Sequence, residues 1–169
     1  MRIGSGYDSH RFQEGRPLVL GGVHIPDHPG LAGHSDGDAV AHAIIDAILG
    51  AAGLGDVGRH FPPDQERWRG ADSIDLLTRS AAVLREGGYR VVNVDTTVVC
   101  ERPRVAPHAR AMAERLSAAM DIDADRVSVK GKSNEGMGWI GRSEGLAVHA
   151  VALVERIAIH SSAGEVVPL

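Results

Sequence analysis

One segment limits the folds open to this chain more than any other. Between Asp38 and Gly53, the apolar residues Ala41, Ile44, Ile45, Ile48 and Ala52 recur at helical spacing. Asp36 or Asp38 can cap this helix at its start, and Gly53 can end it in a left-handed turn. So apolar a helix must lie against a sheet or a second helix. The chain supplies both. Arg2 to Phe12 begins as a strand, and Arg16 to Ile25 reads as a second, with Gln13 to Gly15 as the turn between them. His28 to Gly37 is a Gly-rich loop, and Gly53 to Gly70 is a long one that holds Pro62 and Pro63. A loop of that length in a compact domain is commonly functional. Ser73 caps a second helix that runs to Glu86 and stops at Gly87 and Gly88. Tyr89 to Cys100 is β-rich, and Pro107 sits in the first turn of a third helix ending near Met120. Arg126 to Lys130 and Leu146 to Ile157 complete the strands, and His160 to Leu169 is a frayed tail. The order ββαα-β-α-ββ lacks strict βαβ alternation. It predicts an α+β fold, one mixed β-sheet with helices packed on one face. The other face carries apolar residues, and a homo-oligomer is the economical way to cover it.

Composition narrows the function. The 169 residues form one domain, 1–169, able to bury about two-thirds of their extended surface without a disulfide or metal staple. Lys and Arg number 18 against 22 Asp and Glu, a net charge of −4, which argues against a general nucleic-acid binder. Cys100 is the only cysteine, so a Cys-rich zinc site and an intramolecular disulfide are excluded. No run of 18 apolar residues exists to span a membrane, and the N-terminal residues lack a signal peptide's apolar core. The chain reads as soluble and cytoplasmic.

Nine histidines prompt a search for metal ligands. Asp8 and His10 are two apart, so in an extended segment they project from the same face. With His42 near the start of the first helix they make a set of two histidines and one carboxylate, the pattern of a catalytic zinc site with one open position. The same spacing also suits a helical histidine satisfied by its neighbours. Asp38, His42 and Asp46 lie on one helical stripe, where a carboxylate can hold the ring of His42. Asp36 and Asp38, after His34, cap the helix or orient a histidine. The glycines around Asp56 match no phosphate-loop or dinucleotide pattern; they make a turn or bring backbone close to a ligand. Lys130 to Arg142 is the densest polar stretch. Its lysines, Ser133 and backbone N–H groups suit phosphate oxygens, and Glu135 suits a hard divalent ion; the same stretch also suits an ordinary Gly-rich loop. His149, in an apolar strand, reads as structural, while His24, His28, His60, His108 and His160 have no evident partners.

Taken together, these segments resemble a known family, the 2-C-methyl-D-erythritol 2,4-cyclodiphosphate synthases of non-mevalonate isoprenoid biosynthesis. The resemblance runs from Arg2 to about Ile157 through RIGSGYDSHRF, GGVHIP, GLAGHSDGDAVAHAIIDAILGAAGLGDVGRHFP, RGADS, NVDTTVVCERPR and GWIGRSEGLAVHAVALV. It implies a fold related to Bacillus-type chorismate mutase, assembled as a homotrimer with active sites at subunit interfaces. The implied reaction converts 4-diphosphocytidyl-2-C-methyl-D-erythritol 2-phosphate to the cyclic diphosphate and CMP, a phosphorus–oxygen lyase activity. By matching position, Asp8, His10 and His42 would bind zinc, and Glu135 a second divalent ion, magnesium or manganese. His34 and Ser133 would stabilise the transition state; His34 and Ser35 would lie at the substrate's phosphates, and Ser9 would also contact the substrate. Asp56, Val57 and Gly58 would form the methylerythritol pocket, and Phe61 would also contact the substrate. The cytidine pocket would comprise Cys100, Glu101, Arg102, Pro103, Arg104, Val105 and Ala106, with Gly131, Lys132 and Ser133. Trp139 and Arg142 would line the substrate site and a cavity on the trimer axis that holds isoprenoid diphosphates in some members. The chain departs from the family in Gly131-Lys132-Ser133, where Ala-Thr-Thr is common, and in Ser5, Tyr7 and Trp139. The competing readings are a zinc-dependent phosphatase or phosphodiesterase, and a non-catalytic trimeric binder of isoprenoid diphosphates.

Overall fold

The computed structural model describes residues 1–157, so the expected frayed tail lies outside the described residues. Its centre is a five-stranded sheet in the order β4-β1-β7-β5-β6, built from β1 (Arg2–Gln13), β4 (Gly30–Leu31), β5 (Tyr89–Val99), β6 (Val127–Lys132) and β7 (Gly145–Arg156). β5 and β6 are parallel and the other pairs antiparallel, so the sheet is mixed as expected. α1 (Ala39–Ala52), α3 (Ser73–Glu86) and α4 (Ala109–Met120) pack on one another and on the sheet.

The helix that dominates the sequence is the centre of the core. α1 is buried nearly all round, with Ile44, Ile45, Ile48 and Leu49 fully enclosed. Asp38 is its cap, accepting from the N–H groups of Val40 and Ala41, and Gly53 ends it at φ 74°. Two glycines on β1 set how closely it sits. A Cβ on Gly4 or Gly6 would run into the α1 backbone at Ala47 and Ala43. The lack of a side chain at both lets α1 lie directly on β1, and the same strand face continues into Asp8 and His10.

Several elements differ from the sequence reading. The single strand expected over Arg16 to Ile25 is a hairpin, β2 (Leu18–Leu20) with β3 (Val23–Ile25), forming its own two-stranded sheet. Gly21 and Gly22 break it, at φ 57° and 72°. The long loop after Gly53 contains the short helix α2 (Val57–His60) and a 3-10 turn at Glu66–Trp68. The cap of α3 is Asp72, not Ser73. His149 is not a core residue: it is exposed on the open sheet face and packs at a tilt against Tyr7, with ring centroids 5.0 Å apart. Ile3, Tyr7 and Val151 are exposed on that same face, so the apolar surface expected there is present.

Candidate functional site

The fold brings Asp8, His10 and His42 together. β1 supplies the first two from its helix-facing side, and the close seat of α1 places His42 opposite them. His10 Nε2 lies 2.8 Å and His42 Nδ1 3.1 Å from the same oxygen, Asp8 Oδ2. All three ligand atoms fall within 4.8 Å of one another and are half-buried. Burial alone would push the Asp8 carboxyl up, but its bonds to the two rings outweigh that and hold it well below the usual range. Burial alone would lower His10, and the Asp8 hydrogen bond and charge raise it. His10 Nδ1 faces the Ala32 carbonyl at 2.5 Å; a carbonyl only accepts, so that nitrogen carries a proton and Nε2 is the one turned to Asp8 and available to a metal. One carboxylate and two imidazoles converging on a point, one side open, fit a zinc ion.

The stripe of carboxylates on α1 does not hold the ring of His42, as its spacing suggested. Asp38 is fully buried and points away from His42, accepting from Gly21, Gly22, Val40 and Ala41. Its burial pushes the carboxyl up to about 6. Asp46 instead accepts from the N–H of Val57 at 2.8 Å, which ties the segment bearing Asp56, Val57 and Gly58 to α1. Asp56 caps α2 through Arg59 N–H, and Phe61 packs edge-on against Trp68 at 5.0 Å. His60 has a partner after all, the Leu54 carbonyl at 2.8 Å, and His28 packs at a tilt against Phe12.

His34 and Ser35 lie beside the cluster, on a loop held by groups that nothing in the sequence singles out. Arg16 donates to the carbonyls of Gly33 and Ser35, at 2.7 and 2.6 Å, and Gly70 N–H donates to the His34 carbonyl. Ser35 Oγ and Ser73 Oγ lie 3.2 and 3.0 Å from His42 Nε2. The sequence presents Ser73 only as a cap; no periodicity links it to a histidine 31 residues away.

A second group of residues gathers at the far edge of the sheet. Cys100, Glu101, Pro103, Arg104, Val105, Ala106, Gly131, Lys132 and Ser133 line a cavity of about 290 Å³, nearly the set implied for cytidine; Arg102 lines a neighbouring cavity instead. Burial pushes the Cys100 thiol up to about 11, so it is no nucleophile at neutral pH. Glu101 Oε1 accepts from the N–H groups of Asn134 and Gly136, and thereby folds the turn in which Ser133 Oγ donates to Glu135 at 2.8 Å. Trp139, on the short helix α5 (Gly138–Gly141), lines a smaller cavity with Ser9, His10, Arg11 and Glu144. Arg142 pairs with Glu144.

The two groups share a level but not a neighbourhood. Asp8 pairs with Val148, Val148 with Val98, and Val98 with Gly131, so one row crosses the sheet from the metal ligands to the cavity. Three strand spacings separate the ends, about 14 Å. Val148 and Val98 between them are fully buried.

Fold and site define a class: a small α+β protein with a half-buried set of two histidines and one carboxylate able to hold a metal, and a separate polar cleft across the sheet. The chain belongs to the YgbB family, whose model matches residues 1–155. It is 57% identical over 154 residues to the 2-C-methyl-D-erythritol 2,4-cyclodiphosphate synthase of Symbiobacterium thermophilum, covering 91% of this chain and 98% of that one. It is 53% identical to the synthase of Dechloromonas aromatica, covering 92% and 98%. A solved 2C-methyl-D-erythritol-2,4-cyclodiphosphate synthase in a CDP-bound form superposes with a TM-score of 0.83 at 39% identity, covering 91% of this chain and all of that one. A bifunctional protein from Campylobacter jejuni, IspDF, superposes at 0.89 with 40% identity; the chain covers 42% of its length. Among the described residues no helix is long and apolar enough to cross a membrane.

Proposed function

We infer that the chain is a 2-C-methyl-D-erythritol 2,4-cyclodiphosphate synthase, a lyase of isoprenoid precursor biosynthesis, with the whole chain forming one catalytic domain. The observation that carries this is the converging Asp8, His10 and His42 set in a chain 57% identical to a synthase over 98% of its length. The substrate is 4-diphosphocytidyl-2-C-methyl-D-erythritol 2-phosphate. An oxygen of its 2-phosphate attacks the β-phosphorus, the bond from that phosphorus to the bridging oxygen breaks, and CMP leaves. The nucleophile belongs to the substrate, which agrees with the protonated, buried Cys100.

The task left to the protein is to hold two anionic phosphates together. Two like unit charges 4 Å apart repel by about 4 kcal/mol at an effective dielectric near 20. Asp8, His10 and His42 would hold zinc, which supplies a Lewis acid and template for phosphate oxygens. Glu135 would hold the second divalent ion, magnesium or manganese, on the diphosphate. Hydrogen bonds from His34 and Ser133 stabilise charge on the transferring phosphoryl group. Ser9 and Ser35 orient the phosphates, and Asp56, Val57, Gly58 and Phe61 enclose the methylerythritol carbons. The cavity from Cys100 to Ala106 and Gly131 to Ser133 takes the cytidine; a solved relative was captured with CDP.

The active form is a homotrimer with the fold of Bacillus-type chorismate mutase, each site shared between two subunits. The row from Asp8 to Gly131 supports this. Within one subunit its two ends are separated by core, whereas a cyclic head-to-tail contact sets one subunit's β1 edge against the next one's β6 edge. The exposed Ile3, Tyr7 and Val151 agree with a covered face on the axis, where Trp139 and Arg142 would border a cavity for an isoprenoid diphosphate. A water-soluble substrate agrees with a cytoplasmic location.

Phosphorus NMR of the protein with this substrate, with and without chelator, tests the reaction. The expected result is a cyclic diphosphate pair plus CMP, lost on chelation. Inorganic phosphate or a linear product would make the protein a hydrolase, and an unchanged spectrum with metal bound would make it a binder.

A further inference from the structure

We propose that Ser73, anchored by Asp36, is a positioning residue that fixes the tautomer of His42 and aims its Nδ1 lone pair at the metal position. The inference rests on the metal reading of Asp8, His10 and His42. Ser73 is the first residue of α3 and is fully buried. Asp36 grips it twice: Oδ2 accepts from the Ser73 N–H at 3.0 Å, and Oδ1 accepts from its hydroxyl at 2.5 Å. An ionised carboxylate only accepts, so the hydroxyl proton of Ser73 is committed to Asp36. What the Ser73 oxygen has left are lone pairs, and they face His42 Nε2 at 3.0 Å. The ring must donate there, so Nε2 carries the proton. A neutral imidazole protonated at Nε2 presents a bare lone pair at Nδ1, and Nδ1 lies 3.1 Å from Asp8 Oδ2.

His10 reaches the same state by a different route, through the Ala32 carbonyl. Both rings thus have their outer nitrogens engaged and turn the other nitrogen to one carboxylate oxygen, a place that a cation can take and that a ring proton shared with Asp8 takes when no cation is bound. Metal-bound histidines commonly give their second N–H to a carboxylate or a carbonyl. Here a hydroxyl stands between carboxylate and ring, so three segments bear on His42: α1, the turn before it, and the start of α3. Ser35 Oγ, at 3.2 Å from the same nitrogen, is the longer contact and already accepts from Gly37 N–H.

The test measures zinc affinity by competition with a chromophoric chelator, and the His42 tautomer by long-range proton–nitrogen NMR of the metal-stripped protein. Wild type should bind zinc tightly and show the proton on Nε2. Ser73→Ala should weaken zinc binding by about 10- to 100-fold and mix the tautomers, while Ser73→Thr, which keeps the hydroxyl, should restore both. Should Ser73→Ala fail to fold, Asp36→Asn should move both readouts the same way by less. Wild-type affinity with an unchanged tautomer in Ser73→Ala, or in Asp36→Asn if that is the variant that folds, would overturn the proposal and leave the metal centre standing. A wild-type protein that does not hold zinc would overturn both.

Discussion

Mixing two inactive variants gives the sharpest test of a shared active site. Asp8→Ala removes one of the three residues proposed to hold zinc, on one side of the sheet, and Glu135→Ala removes the carboxylate beside the cleft on the other. The row Asp8, Val148, Val98, Gly131 puts these sides about 14 Å apart, with two fully buried valines between. In the proposed shared site each subunit offers its Asp8 side to one neighbour and its Glu135 side to the other, and the substrate spans the two without threading that core. Each variant alone should be inactive. In an equal mixture reassembled at random, an intact site needs an intact metal half from the Glu135→Ala subunit and an intact cleft from the Asp8→Ala subunit. In a cyclic trimer every mixed assembly has one such site of its three, so turnover of the purified mixed assemblies should return to about a third of wild type. The assay is CMP release after co-refolding differently tagged chains and purifying the mixed assemblies through both tags. No recovered activity in verified mixed assemblies would refute the shared site, and with it the reading of the row as two halves of different sites.

Further expectations concern single changes. Asp8→Ala should also lose bound zinc, read by metal analysis; a full complement of zinc would remove Asp8 from the ligand set. Glu135→Gln should keep zinc but respond less to added magnesium or manganese, and an unchanged titration would end its ion-binding role. Sedimentation should give about three times 17.8 kDa, and a clean monomer would contradict the interface. Gly6→Ala should cost at least about 1–3 kcal/mol, because its Cβ meets the α1 backbone at Ala43, and denaturant melts would show it. Metal-free protein should lose stability as pH rises above 6.5 and through the raised pKa of His10. The folded His10 pKa lies above 6.5, so its contribution is complete below that value and fades above it; Asp8, held below 3.8, stays ionised throughout. Zinc-loaded protein should show the opposite slope, since protons compete with the metal.

The sequence carried α1 almost completely, because apolar spacing, an acidic cap and a terminal glycine all agree there. It also carried the pairing of Asp8 with His10, since strand alternation alone puts them on one face. What it could not carry depends on contacts between distant segments. The Gly21–Gly22 reversal looks like part of one apolar strand until the two halves are seen to pair with each other. β7 lies in mid-sheet with both neighbours paired, so its apolar run does not tell which side is open, and His149 reads as structural for that reason. α2 is too short for any periodicity to register. The support of His42 joins residues 35, 36 and 73, and only the packing of α3 against α1 brings them together.

Asp38 also governs how the molecule opens. Its one carboxylate receives N–H groups from the hairpin reversal at Gly21 and Gly22 and from the first turn of α1 at Val40 and Ala41. Neither partner can leave without stripping bonds from a buried charge, which costs far more than fraying a surface turn. The small hairpin and the helix start therefore open as one cooperative unit. Their four amide protons should exchange with solvent at a common rate set by that event, although two belong to a hairpin and two to a helix.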